Sequence, residues 1–423
     1  MVNARTALAA DLLASTAHLN GAPLHRSYDK ARERLLKLDV GDLDIVGVAS
    51  LSPDRTLAAM VAAWSLGAVV WPMATLVKDG PASVIWDGEH LTRVAKPPLS
   101  PMSKELAIVH CTSGSTGPTK LVKRSAASLR AEARGYRHGL GLRPGDRVLL
   151  PLPVVHSLGS GIALSALLSG CELHVDERQL PSAIASALDA GRFEMVVVTP
   201  SIARLLVKTV RNGPCLPTRF FIAAGSTSDE LKQAVHARFG LPPIFGYGST
   251  ETGGTFIGFT GMGSAIEGVE ILEPASGMEG ELVLRLACPP LGYFDQATPG
   301  TIWKTGDLVR RDLQDGLHYL CRQSEARIRI DGRFVSIEAP NALLDDLPEV
   351  VEHCALVVAD PHRLGAETLY FVAATTRLTP AVLAAKLARV TTPSFRVVTC
   401  ASLPRNTIGK LDRAALVKFV TSP

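Results

Sequence analysis

Short apolar runs alternate with segments of helical periodicity along most of the chain. Leu43–Ala49 and Gly67–Pro72 are apolar runs typical of buried strands. The segment between them opens with Ser52-Pro53-Asp54 and has helical spacing, with Pro53 suited to the first turn. This order predicts a βαβ unit. Further alternation up to Ala224 predicts a largely parallel, helix-covered sheet, whose ligands gather at the carboxyl ends of its strands.

The first hundred residues predict a shortened scaffold around this unit. Apolar spacing predicts helices over Ala7–Leu19 and Ser27–Leu38, with Ser27 as the N-cap of the second. Ala74–Lys104 is short and rich in proline, so we interpret it as a trimmed N-terminal subdomain. From Gly254 to Arg329 the pattern changes to short strands bounded by turn residues, which predicts a small β-rich subdomain.

Composition excludes several classes of protein. The 423 residues are 47% hydrophobic and 20% charged, which predicts a soluble protein of two or more domains. The net charge of +4 is small and the basic residues are scattered, so we expect no nucleic-acid partner. Seven separated cysteines without a CxxC pair argue against zinc and indicate a reducing compartment. No apolar run predicts a signal peptide or membrane span, and we expect a cytoplasmic location.

A loop rich in small polar residues follows the predicted strand Leu106–Cys111. It runs from Thr112 to Lys120 and combines hydroxyl side chains, two glycines and a terminal lysine. Glycines let successive N–H groups converge on an anion, and hydroxyls and lysine suit phosphate oxygens. Thr119 before the lysine and Leu121 after it exclude a Walker A loop. The alternatives are a phosphate cradle and an ordinary surface loop.

Three later segments carry further candidate chemistry. They are Gly246-Tyr247-Gly248-Ser249-Thr250-Glu251, Trp303-Lys304-Thr305-Gly306-Asp307 and Leu403-Pro404-Arg405-Asn406-Thr407-Ile408-Gly409-Lys410-Leu411-Asp412-Arg413. The glycines beside Tyr247 predict a groove over its ring for a flat base, unless the ring is ordinary core filling. A carboxylate such as Glu251 suits Mg²⁺, unless it is simply solvated. Asp307 is predicted to follow a tight turn, and a lone C-terminal lysine is usually solvated.

In this order, the four motifs resemble those of the ANL superfamily of adenylate-forming enzymes, which includes acyl- and aryl-CoA synthetases and stand-alone adenylation enzymes. The resemblance extends from about Leu51 to the C-terminus. It implies an α/β fold: a large N-terminal domain of helix-covered, mainly parallel sheets with a β-rich subdomain, then a small mobile α+β domain. We place these domains at residues 1–323 and 324–423.

The resemblance also implies roles for individual residues. Lys410 would be the catalytic lysine, Thr250 would donate to the α-phosphate, Glu251 would hold Mg²⁺, and His156 would be a gate beside the acyl pocket. Contacts to ATP would come from Thr112, Ser113, Gly114, Ser115, Thr116, Gly117, Lys120, Gly225, Ser226, Tyr247, Gly248, Ser249, Asp307 and Arg322. The acid pocket would involve Ser157, Thr199, Ser201, Ala224, Gly246 and Phe256.

One segment departs from the family pattern. Where the family has Gly-Arg-x-Asp-Asp, this chain has Cys321-Arg322-Gln323-Ser324-Glu325. The arginine is kept, but Ser324 stands where the hinge aspartate is expected. The following stretch around Gly332 resembles the part of the family that approaches the pantetheine arm of the acceptor.

The implied activity is ATP-dependent conversion of a carboxylic acid to an acyl-adenylate with release of pyrophosphate. A thiol of coenzyme A or of a carrier-protein phosphopantetheine then takes the acyl group. No acidic residue is positioned for an amino acid's ammonium group, which favours a simple or aromatic acid. The alternatives are a catalytically silent nucleotide-binding protein and an amino-acid-activating enzyme. We expect a monomer or a homodimer.

Overall fold

The structure of the protein is a computed structural model. It describes residues 3–77, 80–94, 104–112, 120–175, 181–190, 193–210, 218–224, 227, 229–294, 296, 298–322, 327–330, 333–360, 366–391, 395–405 and 411–421. Within 321–336 only the backbone is described. The chain divides into two compact units, residues 1–305 with 310–318, and residues 306–309 with 319–423. The predicted boundary at 323/324 lies outside the described residues and stays a prediction.

Helices and strands alternate through most of the first unit. The described helices are α1 (Ala4–Ala14), α2 (Leu24–Leu36), α3 (Pro53–Ser65), α4 (Ala126–Leu140), α5 (Ser157–Leu168), α6 (Pro181–Asp189), α7 (Pro200–Thr209), α8 (Asp229–Phe239), α9 (Glu338–Asp345), α10 (Pro380–Leu387) and α11 (Arg413–Thr421). The described strands are β1 (His18–Leu19), β2 (Ala22–Pro23), β3 (Ile45–Ala49), β4 (Val69–Pro72), β5 (Val84–Asp87), β6 (His90–Arg93), β7 (Leu106–Thr112), β8 (Lys120–Ser125), β9 (Arg147–Leu150), β10 (Glu172–Val175), β11 (Met195–Val198), β12 (Arg219–Ile222), β13 (Ile244–Ser249), β14 (Gly253–Gly258), β15 (Ser264–Ala265), β16 (Val269–Glu273), β17 (Glu279–Leu286), β18 (Ile302–Arg311), β19 (Leu317–Arg322), β20 (Arg327–Ile330), β21 (Arg333–Ser336), β22 (Glu352–Asp360), β23 (Ala366–Ala374) and β24 (Phe395–Cys400).

The predicted βαβ unit forms the centre of a six-stranded sheet. Strands β3 and β4 pair in parallel and α3 connects them, with Pro53 in its first turn. The sheet order is β6-β5-β3-β4-β7-β8, with β8 antiparallel to β7. Within 74–104, β5 pairs in parallel with β3 and β6 pairs back on β5, so this short segment adds two strands to the sheet. Its interpretation as a trimmed subdomain stays a prediction.

A nine-stranded sheet forms the second layer and carries most of the predicted site residues. Its order is β15-β14-β13-β12-β11-β9-β10-β1-β2. Strands β9 to β13 pair in parallel, as the alternation of strands and helices predicts. Strand β14 turns back antiparallel on β13. Apolar side chains of both sheets and of helices α1 to α5 share one large core.

The N-terminal helices differ from their predicted bounds because tertiary contacts outweigh the local periodicity. Helix α1 ends at Ala14, since His18 and Leu19 pair with both β10 and β2. Helix α2 begins at Leu24, whose side chain is buried in the core, and Pro23 holds the N-cap position. Ser27 therefore lies inside the helix, and its prediction as the cap is wrong.

The β-rich segment forms a four-stranded sheet in the order β16-β17-β18-β19. Asp307 lies within the ten-residue strand β18, so the prediction that it follows a tight turn is wrong. Gly306 has a φ of +72°, a conformation that glycine adopts without strain. The backbone thus changes direction inside a strand instead of leaving it.

The C-terminal unit is a small α+β domain, as predicted. Its three-stranded sheet pairs β22 antiparallel and β24 parallel to β23, and β20 pairs with β21. Apolar residues lie on both faces of the three-stranded sheet, in clusters with α9 and α10 on one side and α11 on the other. Across the described parts of both units, no helix is long and apolar enough to cross a membrane.

Candidate active site

The carboxyl ends of four neighbouring parallel strands bring the predicted acid-pocket residues to one edge. Strands β13, β12, β11 and β9 are adjacent in the sheet. Ser157, Thr199, Ser201 and Ala224 follow their strands, and Gly246 follows the part of β13 that pairs in parallel with β12. Parallel strands share the direction of their chain, so their carboxyl ends meet at the same edge. The topology therefore collects residues that are almost ninety positions apart in sequence.

The polar members of this group differ in how they are used. Thr199 caps α7 by accepting from the backbone N–H of Ile202, so its hydroxyl already has a structural role. Ser157, the first residue of α5, is buried, and the described residues provide no hydrogen-bond partner for its Oγ. Ser201 is exposed, whereas Phe256 is fully buried against Tyr247.

Ala224 has an unusual backbone conformation at the end of β12. Its φ is +64°, the left-handed region that residues with a Cβ adopt only at a cost in free energy. The side chain is exposed. Strained residues of this kind cluster at functional sites, which agrees with the predicted position of Ala224 in the acid pocket. Gly225 and Ser226, its predicted nucleotide-binding neighbours, lie outside the described residues.

A tight hairpin presents Thr250 and Glu251. Strands β13 and β14 pair from Phe245 to Ser249, with Ser249 opposite Gly253, so only three residues form the turn. Inside it, the hydroxyls of Ser249 and Thr252 lie 3.2 Å apart, and each accepts from the other residue's backbone N–H. The turn is thus held by its own side chains, and the two predicted catalytic residues have a defined backbone.

The glycines around Tyr247 serve close packing. A Cβ on Gly246 would lie 2.4 Å from Phe221 Cζ, and a Cβ on Gly248 would lie 2.1 Å from the carbonyl oxygen of Gly253. The groove that we predict over the Tyr247 ring stays a prediction. Tyr247 itself is half-buried, and its ring packs at a tilt on Phe256.

Lys120, Tyr293 and Glu251 form a contact chain. The hydroxyl of Tyr293 donates to Glu251 Oε1 at 2.9 Å. The ammonium nitrogen of Lys120 lies 4.9 Å from the centroid of the same ring, within the range of a cation–π contact. The structure therefore joins the end of the predicted phosphate loop to the predicted magnesium ligand through an aromatic residue that sequence reasoning missed.

A buried ion pair is hydrogen-bonded to the β13–β14 hairpin. Arg124 on β8 donates to Glu132 Oε2 on α4 at 2.7 Å, and both side chains are almost fully buried. Glu132 Oε1 accepts from the backbone N–H of Gly254 at 2.9 Å. This carboxylate therefore links the strand after the phosphate loop to the first residues of β14.

A second buried polar group lies beside His156. His110 Nε2 is 3.0 Å from Ser160 Oγ, and Ser160 also donates to the backbone oxygen of His156. Complete burial lowers the pKa of His110 to about 3, with smaller contributions from Arg124 and His156. His110 is therefore neutral at physiological pH. His156 stands at the N-cap of α5, where its backbone accepts from Ser160 N.

The remaining predicted residues lie partly inside and partly outside the described ranges. Asp307 is 5% exposed on β18. For Arg322 only the backbone at the end of β19 is described. Thr112 and Lys120 face each other across the β7–β8 pair. Several predicted residues lie outside the described ranges: Ser113, Gly114, Ser115, Thr116, Gly117, Gly225, Ser226 and Lys410.

Three site residues were not found by sequence reasoning. His110 lies in the apolar run before the loop, where a lone polar residue is a detectable signal. Glu132 lies on the buried side of α4, and its spacing of eight from Arg124 is not a helical pair. Tyr293 follows a glycine in an irregular segment, and only the fold reveals its contacts.

Comparison with known proteins places the chain among proteins of one family. Residues 73–294 match the family model described as AMP-binding enzyme. A 2-succinylbenzoate–CoA ligase of Lactococcus lactis is 24% identical over 326 residues, which cover 74% of this chain and 71% of that protein. A sulfoacetate–CoA ligase of Cupriavidus necator is 29% identical over 358 residues, which cover 77% of this chain and 70% of that protein.

Solved structures share the fold. ATP-bound MatB from Rhodopseudomonas palustris superposes with a TM-score of 0.80 over 99% of each chain, at 18% identity. The o-succinylbenzoate CoA synthetase MenE of Bacillus subtilis, in complex with its acyl-adenylate, gives 0.76 over 95% of this chain and 94% of that chain, at 16% identity. The predicted fold class is confirmed.

Proposed function

This chain belongs to the family of AMP-binding enzymes, and from this we propose that it activates a carboxylic acid with ATP and transfers the acyl group to coenzyme A. The observation that carries the proposal is the chain of contacts from Lys120 through Tyr293 to Glu251. It links a cation to a carboxylate through one aromatic side chain, with Lys120 in the paired strand β8 and Glu251 in the turn of the β13–β14 hairpin. Such a pair suits a substrate that brings both phosphate oxygens and a divalent cation.

The difficulty of the reaction is electrostatic. A carboxylate must attack the α-phosphorus of ATP, so two anions meet and charge accumulates on phosphoryl oxygens. Thr250 would donate to the α-phosphate, and Lys120 would offset charge on the departing pyrophosphate. Lys410 would supply a second cation at the reacting centre. Because these groups bind and stabilise charge, the chemistry needs no protein nucleophile.

Glu251 fits the role of a magnesium ligand. In the described ranges, no three His, Cys, Asp or Glu side chains come together as a metal-binding cage. Mg²⁺ commonly binds through one or two carboxylates together with substrate phosphates, so a single carboxylate is an adequate protein ligand. The ion would neutralise phosphate charge when bound. Glu251 would hold it, and the rigid hairpin would keep Glu251 in place.

The named relatives bear on the choice of acid and of acceptor. The relatives named above are CoA ligases, which favours coenzyme A over a carrier protein. One of them is named for an aromatic acid and one for a small acid, which favours these two classes of acid over an amino acid. The unusual φ of Ala224 and the buried Ser157 hydroxyl support a binding site for such an acid at this edge of the sheet.

ATP–pyrophosphate exchange with a panel of carboxylic acids tests the proposal. We expect exchange with at least one aromatic or small acid and none without acid. Incubation of the active acid with either coenzyme A or holo carrier protein then identifies the acceptor. Binding of ATP without exchange for any acid would instead support a silent nucleotide-binding protein.

A further inference from the structure

We propose that Tyr293 is a positioning residue with two roles. Its hydroxyl orients Glu251 for the metal of Mg–ATP, and its ring positions Lys120 for the phosphates. This inference rests on the proposed function, because it assigns Tyr293 to the same site. Tyr293 lies outside the four sequence motifs. Its two contacts join residues of two of these motifs, which lie far apart in the sequence.

The hydroxyl of Tyr293 leaves Glu251 with a specific geometry. A carboxylate has two oxygens, and the phenol donates to Oε1 at 2.9 Å. A hydrogen bond to one oxygen restricts rotation of the carboxyl group, so the direction of the other oxygen is also restricted. Outer hydrogen bonds of this kind orient metal-ligating carboxylates, and their loss typically weakens metal binding by about 10- to 100-fold.

The face of the Tyr293 ring makes a cation–π contact with Lys120. The ammonium lies 4.9 Å from the ring centroid, although Lys120 itself is exposed. The face of the neutral ring attracts the Lys120 cation, and the hydroxyl on the same ring donates a hydrogen bond to the Glu251 carboxylate. Tyr293 thereby favours separate roles for Lys120 and Glu251, in which the lysine meets phosphate and the carboxylate meets the metal.

The backbone of Tyr293 is fixed well enough for this role. Residues 291–294 pair with β8: Lys123 donates to Gly292 and accepts from Leu291, and Phe294 donates to Leu121. Leu291 and Phe294 pack against the core beneath. Gly292 has a φ of +80°, which allows the turn of the chain at this point. The segment that carries the ring is therefore hydrogen-bonded to β8, the strand that begins at Lys120.

Two variants separate the two contacts. Tyr293→Phe removes the hydroxyl and keeps the ring, whereas Tyr293→Leu removes both. We would measure ATP binding by isothermal titration calorimetry in Mg²⁺ and in EDTA, so that the result does not depend on turnover. For Tyr293→Phe we expect Kd in Mg²⁺ to rise about tenfold, with less than a twofold change in EDTA. For Tyr293→Leu we expect Kd to rise in both conditions.

A double-mutant cycle distinguishes this role from general support of the fold. In a Glu251→Gln background, Tyr293→Phe should no longer change the Mg²⁺ dependence of binding, because its partner carboxylate is gone. Tyr28→Phe on α2 is the matched control and should bind as wild type does. Equal Mg²⁺ dependence in wild type and Tyr293→Phe would overturn the inference and leave the proposed function standing. Failure of the wild type to bind ATP would overturn both.

Discussion

Arg124 and Glu132 form an ion pair of 2.7 Å between side chains that are 0% and 2% exposed. The pair does not stand alone, since the other oxygen of Glu132 accepts from Gly254 at the start of β14. A buried charge is costly unless it is paired and hydrogen-bonded. The hairpin that carries Thr250 and Glu251 is therefore tied to a charge pair whose members cannot be changed singly without loss.

Glu132→Gln should destabilise the protein by about 3–5 kcal/mol, because it leaves the Arg124 charge buried without a counterion. Arg124→Met combined with Glu132→Gln should recover much of this loss, since the amide oxygen can still accept from Gly254. Urea unfolding measures both. Arg130→Met, which removes an exposed pair with Asp11, should cost less than about 1 kcal/mol. A similar cost for Glu132→Gln would contradict the prediction.

His110 should make the protein sensitive to acid. Its pKa falls from an ordinary value of 6.5 to about 3, mainly because it is buried. Below pH 6.5 the unfolded chain binds a proton that the native protein does not bind until about pH 3, so stability is lost as the pH falls through this window. The loss from this group between pH 7 and pH 5 is about 2 kcal/mol.

His110→Asn tests this directly. The variant should be less stable than wild type at pH 7, and the difference in unfolding free energy should shrink by about 2 kcal/mol at pH 5. Urea denaturation at the two pH values provides both numbers. Parallel pH dependence in the two proteins would show that the native state accepts the proton more easily than the burial of His110 implies.

Gly248→Ala should damage the hairpin. Its Cβ would meet the Gly253 carbonyl oxygen at 2.1 Å, and both residues lie in strands that are held by pairing. We expect a loss of about 1–3 kcal/mol in stability together with weaker ATP binding. Gly41→Ala is the control, since a Cβ there has nothing within 4 Å. Urea unfolding measures the stability of both variants and calorimetry measures their ATP affinity. Equal values for Gly248→Ala and Gly41→Ala would contradict the prediction.

Asp307→Asn should raise the KM for ATP about tenfold or more, if its carboxylate accepts from the ribose hydroxyls. Initial rates at varied ATP and saturating acid measure the effect. The exposed Asp315→Asn, which removes only an ion pair with Arg311, should leave the KM unchanged. Unchanged ATP kinetics in Asp307→Asn would remove it from the ribose site.

Lys410→Ala should abolish ATP–pyrophosphate exchange and preserve thioester formation from a supplied acyl-adenylate. The lysine would act only on the charge of the first step, so the second step does not need it. Exchange and thioester formation are measured separately on the same preparation. Wild-type exchange rates in the variant would rule out Lys410 as the catalytic lysine.

The sequence by itself determined the alternation of strands and helices, and with it the parallel sheets. Pro53 and the apolar strand at Ile45–Ala49 are local signals, and their physics acts within a few residues. The glycine-flanked motif ending at Glu251 was equally visible, because turns demand particular residues. The predicted roles of Lys410 and Asp307 stay predictions.

Only the tertiary structure decided which residues act on these motifs. Helix α1 stops at Ala14 because β10 and β2 take the next residues, a contact that no local pattern encodes. Tyr293 reaches Glu251 across 42 positions and Glu132 reaches Gly254 across 122, since strand pairing and helix packing bring distant segments together. Hydrogen bonds and burial depend on distance in space, so the groups that hold the turn at Thr250 and Glu251 are revealed only by the folded chain.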